Sequence, residues 1–323
     1  MPRTPEEQLV HFLSDMFSVE QQALAQMESA PDSSGAKSIA KVFDEHYRET
    51  QEQADLVRER LEAHGGSPSV IKDTVMKLGG KGFLLFARVQ PKTPGKLIAH
   101  AYSYEAMEWA GYEMLIRFAQ HSGDQKTIQT AKAIRDQERS MMHRLEQQFD
   151  VAEASSHADE SPDKLDELLW KHMTEAHALD AQGIKLLDKS KQIAGNESLE
   201  SVYSQLRDKM QAQADLLEQQ LARCGQSTSA WRDATLEMAA LNWSLFFTAQ
   251  SDTPAKLAAF VYAVLHLEIG GYQLLKQTAE RAANAETTSL CEQIIRERYA
   301  MADQLAAAFD QAVTATLGEL ETT

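Results

Sequence analysis

The chain of 323 residues is written twice. Compared with itself, the sequence matches at one constant offset, 160 residues. Gln53-Ala54-Asp55-Leu56 returns as Gln213-Ala214-Asp215-Leu216, and Thr93-Pro94 with Lys96-Leu97 returns as Thr253-Pro254 with Lys256-Leu257. Gly111-Tyr112 returns as Gly271-Tyr272, Leu115 as Leu275, and Phe149-Asp150 as Phe309-Asp310. Unrelated amphipathic helices would not keep register through the loops between them, so the constant offset implies that the same helices and loop lengths recur. The fold is thereby restricted to two copies of one unit, each close to the roughly 150 residues of a typical domain and large enough for a core of its own. The small, polar stretch Ala154-Ser155-Ser156-His157-Ala158-Asp159-Glu160-Ser161-Pro162 reads as the linker. The expected domains are residues 1–157 and 158–323.

Glycine (15) and proline (8) are scarce and aromatics make up 7%, which together favour an all-α chain. Each copy reads as four long helices. In the first copy they run from about Thr4 to Ala30, from Ala36 to His64, from Thr93-Pro94 to Ser122, and from Asp124 to about Val151. Between the second and third lies a crossover with a short helix over 67–78, capped by Ser67 with Pro68 at its first position. Gly79-Gly80-Lys81-Gly82 follows, and reads as a loop because it lacks the ending and the strand of a phosphate-binding loop. Two long helices, a long crossover and two more long helices is the connectivity of ferritin-like four-helix bundles.

The charge balance, 32 basic against 48 acidic residues, gives −16 and argues against a nucleic-acid binder. Cys224 and Cys291 stand in no metal-binding or disulfide spacing, as expected of reduced thiols in the cytoplasm. No uninterrupted apolar run reaches the roughly 18 residues that suggest a membrane span, and the charged start, Met1-Pro2-Arg3-Thr4-Pro5-Glu6-Glu7, does not read as a signal peptide.

Helical periodicity puts several carboxylates on the apolar side. Glu20 follows Met16 and Phe17 by four and three residues and precedes Leu24 by four. His46, Glu49 and Gln53 interrupt the stripe of Ile39, Phe43, Leu56 and Leu61; Glu105 and Glu108 fall between Leu97, Ala101, Tyr112 and Leu115; Glu138 falls between Ile134, Met141 and Leu145. Every long helix of the first copy thus turns a carboxylate inward. Buried carboxylates without partners cost several kcal/mol each or take up protons, so such a group calls for cations. Glu20, Glu49, Glu105, Glu108 and Glu138, with His46 as an imidazole, supply what a di-iron or di-manganese bundle centre requires.

At these residues the sequence resembles the YciE/YciF-like ferritin-like proteins, bacterial proteins associated with stress. Asp15-Met16-Phe17-Ser18-Val19-Glu20 is similar to the family's "DLYSAE", Phe43-Asp44-Glu45-His46-Tyr47-Arg48-Glu49-Thr50 to "FEEHLEET", Tyr104-Glu105-Ala106-Met107-Glu108-Trp109-Ala110-Gly111-Tyr112 to "VEHYEIASY", and Asp136-Gln137-Glu138-Arg139 to "DEEK". The likeness covers most of residues 8–150 and, more weakly, 168–312. It implies a ferritin-like bundle, affinity for iron and dimerisation. Where the family commonly has two histidines and an aspartate, this chain has Gln53, Ala106 and Met142, which predicts a weaker or altered site.

The second copy departs further: Glu20 becomes Asp180, Glu49 becomes Lys209, Glu105 becomes Leu265 and Glu138 becomes Arg298, while Glu108 persists as Glu268 beside His266. Either Lys209 and Arg298 are fixed cations that replace two metal ions, or they reach the surface and the site is lost. The expected function is a cytoplasmic stress protein holding two iron or manganese ions in its first bundle for oxygen or peroxide handling, with Tyr104 or Tyr112 as an electron donor or simply as packing. The alternative is a metal-free pseudo-ferritin that binds a partner such as a basic protein or a toxin. Storage in a shell fits a fused, unequal pair poorly.

Overall fold

The computed structural model describes residues 4–28, 34–67, 93–158, 164–223 and 254–318. Residues 68–82 of the crossover, Phe83-Leu84-Leu85-Phe86, residues 159–162 of the linker, and Cys224 lie outside them. Among the described residues there is no strand. The helices are α1 (Pro5–Met27), α2 (Lys37–Ala63), α3 (Pro94–Ser122), α4 (Gln125–Glu146) and α5 (Phe149–Ser156) in the first half. The second has α6 (Leu165–Ser190), α7 (Glu197–Arg223), α8 (Pro254–Arg281), α9 (Ala285–Ala306) and α10 (Phe309–Gly318). The chain is all-α and consists of one bundle repeated.

Local chemistry sets the helix ends. Thr4 Oγ1 accepts from the Glu7 amide at 3.2 Å while Glu7 Oε2 accepts from the Thr4 amide at 2.7 Å, a reciprocal cap with Pro5 at the first position. Thr93-Pro94 starts α3, and Gly123, with φ 75°, ends it. Its counterpart Ala283 holds a φ of 52°, a left-handed conformation costing a non-glycine residue about 1–2 kcal/mol.

Two boundaries differ from those read in the sequence. The first helix stops at Met27 rather than Ala30. The fourth does not run on to Val151 but ends at Glu146, and α5 follows in a new direction. The bend turns Phe149 and Ala152 inward, and it brings Ser156 Oγ to the Gly95 amide at 2.8 Å, capping the start of α3. Thr316 Oγ1 caps α8 in the same way through the Ala255 amide at 3.0 Å. Ala154, Ser155 and Ser156 are therefore helical rather than linker.

The halves are joined by α3 and α8, which run antiparallel: Tyr102 meets His266 with ring centroids 5.5 Å apart, and Trp109 stacks on Tyr262 at 5.0 Å. The pairing has internal two-fold symmetry. Lys96 Nζ lies 2.8 Å from Glu175, and the equivalent Lys256 Nζ lies 2.8 Å from Asp15, the equivalent of Glu175. Ser103 Oγ donates to the carbonyl of Ala263, its own counterpart, at 2.8 Å, which places the axis there. Helix α8 is long and apolar enough to cross a bilayer, but 83% of that apolar stretch is buried inside the protein.

Instead of one core per half there are two apolar clusters, each drawn from both halves. One unites Leu9, Leu13, Phe118 and Ile134 with Tyr203, Leu206 and Phe309; the other unites Ile39, Phe43, Ile98 and Leu145 with Leu217, Leu275 and Ile294. Antiparallel pairing of two apolar helices makes this continuity unavoidable, since the start of one bundle abuts the end of the other. Between the clusters each bundle has a buried polar layer.

Candidate metal centre

In the first bundle the polar layer contains Glu20 of α1, His46 of α2, Glu105 and Glu108 of α3, and Glu138 of α4, each between 0% and 4% exposed. Potential ligand atoms of His46, Glu105, Glu108 and Glu138 all lie within 4.8 Å of one another. Glu20 stands beside this group and accepts a hydrogen bond from the Tyr112 hydroxyl. Gln53 Nε2 donates to Glu138 Oε1 at 2.6 Å. Tyr104, by contrast, donates to the Val19 carbonyl at 2.8 Å and ties α3 to α1. Arg144, which the periodicity gives no reason to single out, donates to Glu49 from α4.

Glu49 is placed differently from the other five residues. The buried seam of α2 runs Phe43, His46, Thr50, Gln53 and Val57, alternating steps of three and four, so Thr50 occupies the inward position and Glu49 lies one residue to the side. Its side chain is 35% exposed, and its Oε2 is shared between the Arg144 guanidinium and His46 Nδ1, the latter at 3.0 Å.

The donor set fits a cation on two counts. One oxygen of each inward carboxylate, Glu20 Oε2, Glu105 Oε2, Glu108 Oε1 and Glu138 Oε2, is buried without a hydrogen-bond donor, and so is His46 Nε2. The contact of His46 Nε2 with Glu105 Oε2 is close, 2.9 Å, but poorly directed, so it does not satisfy either atom. Five such atoms in one layer are far more than a native core tolerates unless something absent completes them. The second count is the chemistry: oxygen donors with one imidazole suit manganese or iron rather than the thiolate-loving metals. Cys291, in the other half, is free and buried, and burial pushes its thiol up to about 12.

Electrostatics carries the same strain. Burial pushes Glu20 up to about 8, against the hydrogen bond from Tyr112. Burial first, and then the neighbouring carboxylates, hold Glu108 and Glu138 well above the usual range. For His46 burial acts to lower the pKa, but Glu105, Glu49 and Glu138 together hold it well above an ordinary imidazole. Glu49 is drawn down to about 2 by the hydrogen bond from His46, with Arg144 adding to it and burial opposing.

In the second bundle an arginine supplies positive charge to the same layer. Arg298, at 0% exposure, donates from Nη1 to Glu268 Oε2 at 2.8 Å and from Nη2 to Asp180 Oδ1 at 2.7 Å. Tyr272 donates to Asp180 Oδ2 at 2.5 Å, as Tyr112 does to Glu20. Leu206 and Leu265 stand where the first half has His46 and Glu105. Only one of the two expected cations is internal. Lys209 takes the position of Glu49, one residue off the seam, and reaches Gln304 in an exposed contact at 2.7 Å. His266 does not join the layer either; its Nδ1 bonds the Tyr262 carbonyl at 2.9 Å, and burial lowers its pKa to about 4, leaving it neutral among the rings between the halves.

This triad yields a pH signature. Burial raises Glu268 from 4.5 to about 8, with Arg298 opposing. Above pH 4.5 the unfolded chain has released a proton that the native state keeps, so this group's contribution falls as pH rises from about 4.5 to about 8 and is constant beyond. Glu268→Gln, which mimics the protonated side chain, is expected to shrink the decline in urea midpoint between pH 5 and pH 8. An unchanged slope would show that Glu268 is ionised throughout.

A family model described as a domain of unknown function, DUF892, matches the chain twice, over residues 4–156 and 164–318. No solved structure matches the chain.

Proposed function

The chain belongs in both its halves to the ferritin-like DUF892 family, and on that premise we propose that its first bundle is a divalent-metal carboxylate centre, holding two iron or manganese ions for oxygen or peroxide handling. The observation that carries this reading is the set of buried carboxylate oxygens without donors, on Glu20, Glu105, Glu108 and Glu138, around one imidazole. We place the division of the chain near residue 157, with the ligands Glu20, His46, Glu49, Glu105, Glu108 and Glu138 all in the first unit. The likeness to YciE/YciF-like sequences supports a role in stress.

When bound, iron or manganese supplies one-electron redox chemistry. The chain's own residues prepare the site. Tyr112 fixes Glu20, and Gln53 fixes Glu138, so two carboxylates are oriented before a cation arrives. His46 bridges the half-exposed Glu49 and the buried Glu105, joining the solvent side of the layer to its interior. The apolar clusters above and below exclude water and keep the local dielectric low, which strengthens each carboxylate's hold on a cation. Arg298 provides the second bundle with a permanent positive charge, so that half does not depend on metal.

The test is elemental analysis of protein purified without chelators and then loaded with iron(II) or manganese(II). About two ions per chain are expected, with loss of binding in Glu105→Ala. Metal-free protein after loading, with the fold intact, would overturn the reading in favour of a metal-free binding protein.

A further inference from the structure

Of the six residues assigned to the centre, Glu49 alone is substantially exposed, its side chain 35% accessible against 5% or less for its partners in the layer. It is also the one held by a fixed cation, because Arg144, 25% exposed, reaches across from α4 to the same oxygen that faces His46. The carboxylate nearest solvent is therefore already occupied, while the carboxylates beneath it each have an oxygen without a donor. In the second half the same two positions hold Lys209 and Gln304, still bonded at 2.7 Å. Contact between these helices thus does not require an arginine, or an ion pair, at this point.

We propose that Arg144 is a positioning residue for metal uptake: it holds Glu49 at the solvent side of the buried layer, and a cation reaches the layer by displacing it. The proposal rests on the metal-centre reading above. Two physical effects act together. The guanidinium repels an approaching divalent cation, and it competes for the oxygen that such a cation would meet first. The ion pair is partly exposed, 25% on Arg144 and 35% on Glu49, so solvent screens it and a divalent cation can displace it. Arg144 makes its contact with Glu49 rather than with the buried ligands.

The experiment is stopped-flow binding of cobalt(II) to the full-length, chelator-stripped chain. Arg144→Gln, which copies the residue tolerated at position 304, is expected to raise the association rate about fivefold, the scale of one exposed ion pair. Arg144→Lys restores the slow rate, since it restores the charge. In a Glu49→Gln background Arg144→Gln is expected to accelerate uptake less, because the competition for the Glu49 oxygen is gone and only the repulsion remains to be relieved. An unchanged rate in Arg144→Gln, or equal acceleration in both backgrounds, would overturn the proposal and leave the metal centre standing. Failure of every variant and of the parent chain to bind cobalt(II) would remove the metal centre and this proposal together. Arg144→Met serves as a second neutral variant should Arg144→Gln fail to fold.

Discussion

Arg298→Met is expected to lower the free energy of unfolding by about 3–5 kcal/mol, the cost of breaking a buried ion pair by deleting one partner. The guanidinium is 0% exposed, and each of its two arms ends on a different carboxylate, at 2.7 and 2.8 Å. Without it Asp180 keeps only the hydroxyl of Tyr272, and Glu268 keeps no donor. Asp180 then either remains charged in an apolar interior or takes up a proton from a solvent near neutrality, while Glu268, already raised to about 8 beside Arg298, is driven further toward its protonated form; each course favours the unfolded chain. Arg298→Lys should recover only part of the loss, since a single ammonium cannot present a two-armed fork. Neutralising the whole group, with Asp180→Asn and Glu268→Gln added to Arg298→Met, should recover more than lysine does, because no uncompensated charge remains. Urea unfolding at pH 7 measures all three. A loss below about 1 kcal/mol in the single variant would mean that the triad is not the electrostatic unit its geometry implies.

The first half should respond with opposite signs in stability and in binding. Glu138→Gln removes one of the crowded carboxylates whose neighbours, with burial, make its ionisation costly. The chelated protein should therefore gain about 1 kcal/mol or more, as when a buried charge is replaced by a neutral group of its shape. The same change removes an anionic ligand, so the affinity for cobalt(II) or manganese(II), measured by calorimetry, should fall by at least about 100-fold. Asp180→Asn, at the equivalent layer of the second half, should leave the metal affinity as it was. A Glu138→Gln protein that is both less stable without metal and equally tight in binding would mean that the hydrogen bond from Gln53 outweighs the cost of the buried charge and that the layer is not a binding site.

The two halves explain why some of this was legible in the sequence. Helical periodicity is a local property, so the inward carboxylates Glu20, Glu105, Glu108 and Glu138 stand out from a single strip of sequence. Glu49 and its counterpart Lys209 were harder to place. Both lie next to the seam rather than on it, and an error of one residue, about 100° of rotation, decides between core and surface. Lys209 and Arg298 look alike in the sequence, yet only Arg298 is drawn inside, because Asp180 and Glu268 converge on it from two other helices. Arg144 gave no signal, since its partner is 95 residues away on α2.

The break after Glu146 is not legible in the sequence for a related reason: the contact that accompanies it, Ser156 Oγ accepting from the Gly95 amide, joins residues 61 apart. The pairing of α3 with α8 is of the same kind. A duplication implies equal folds but carries no instruction about how the copies face each other.

By itself the sequence determined that there are two bundles of one kind and that carboxylates lie where leucine belongs, because repeat offset and helical phase survive in any arrangement of the helices. Only the tertiary structure decided which carboxylates share a layer, which cation completes the second layer, and that the halves meet about a two-fold axis through Ser103 and Ala263. Those outcomes depend on distances between side chains far apart in sequence, and burial gives such charges no resting place except beside one another.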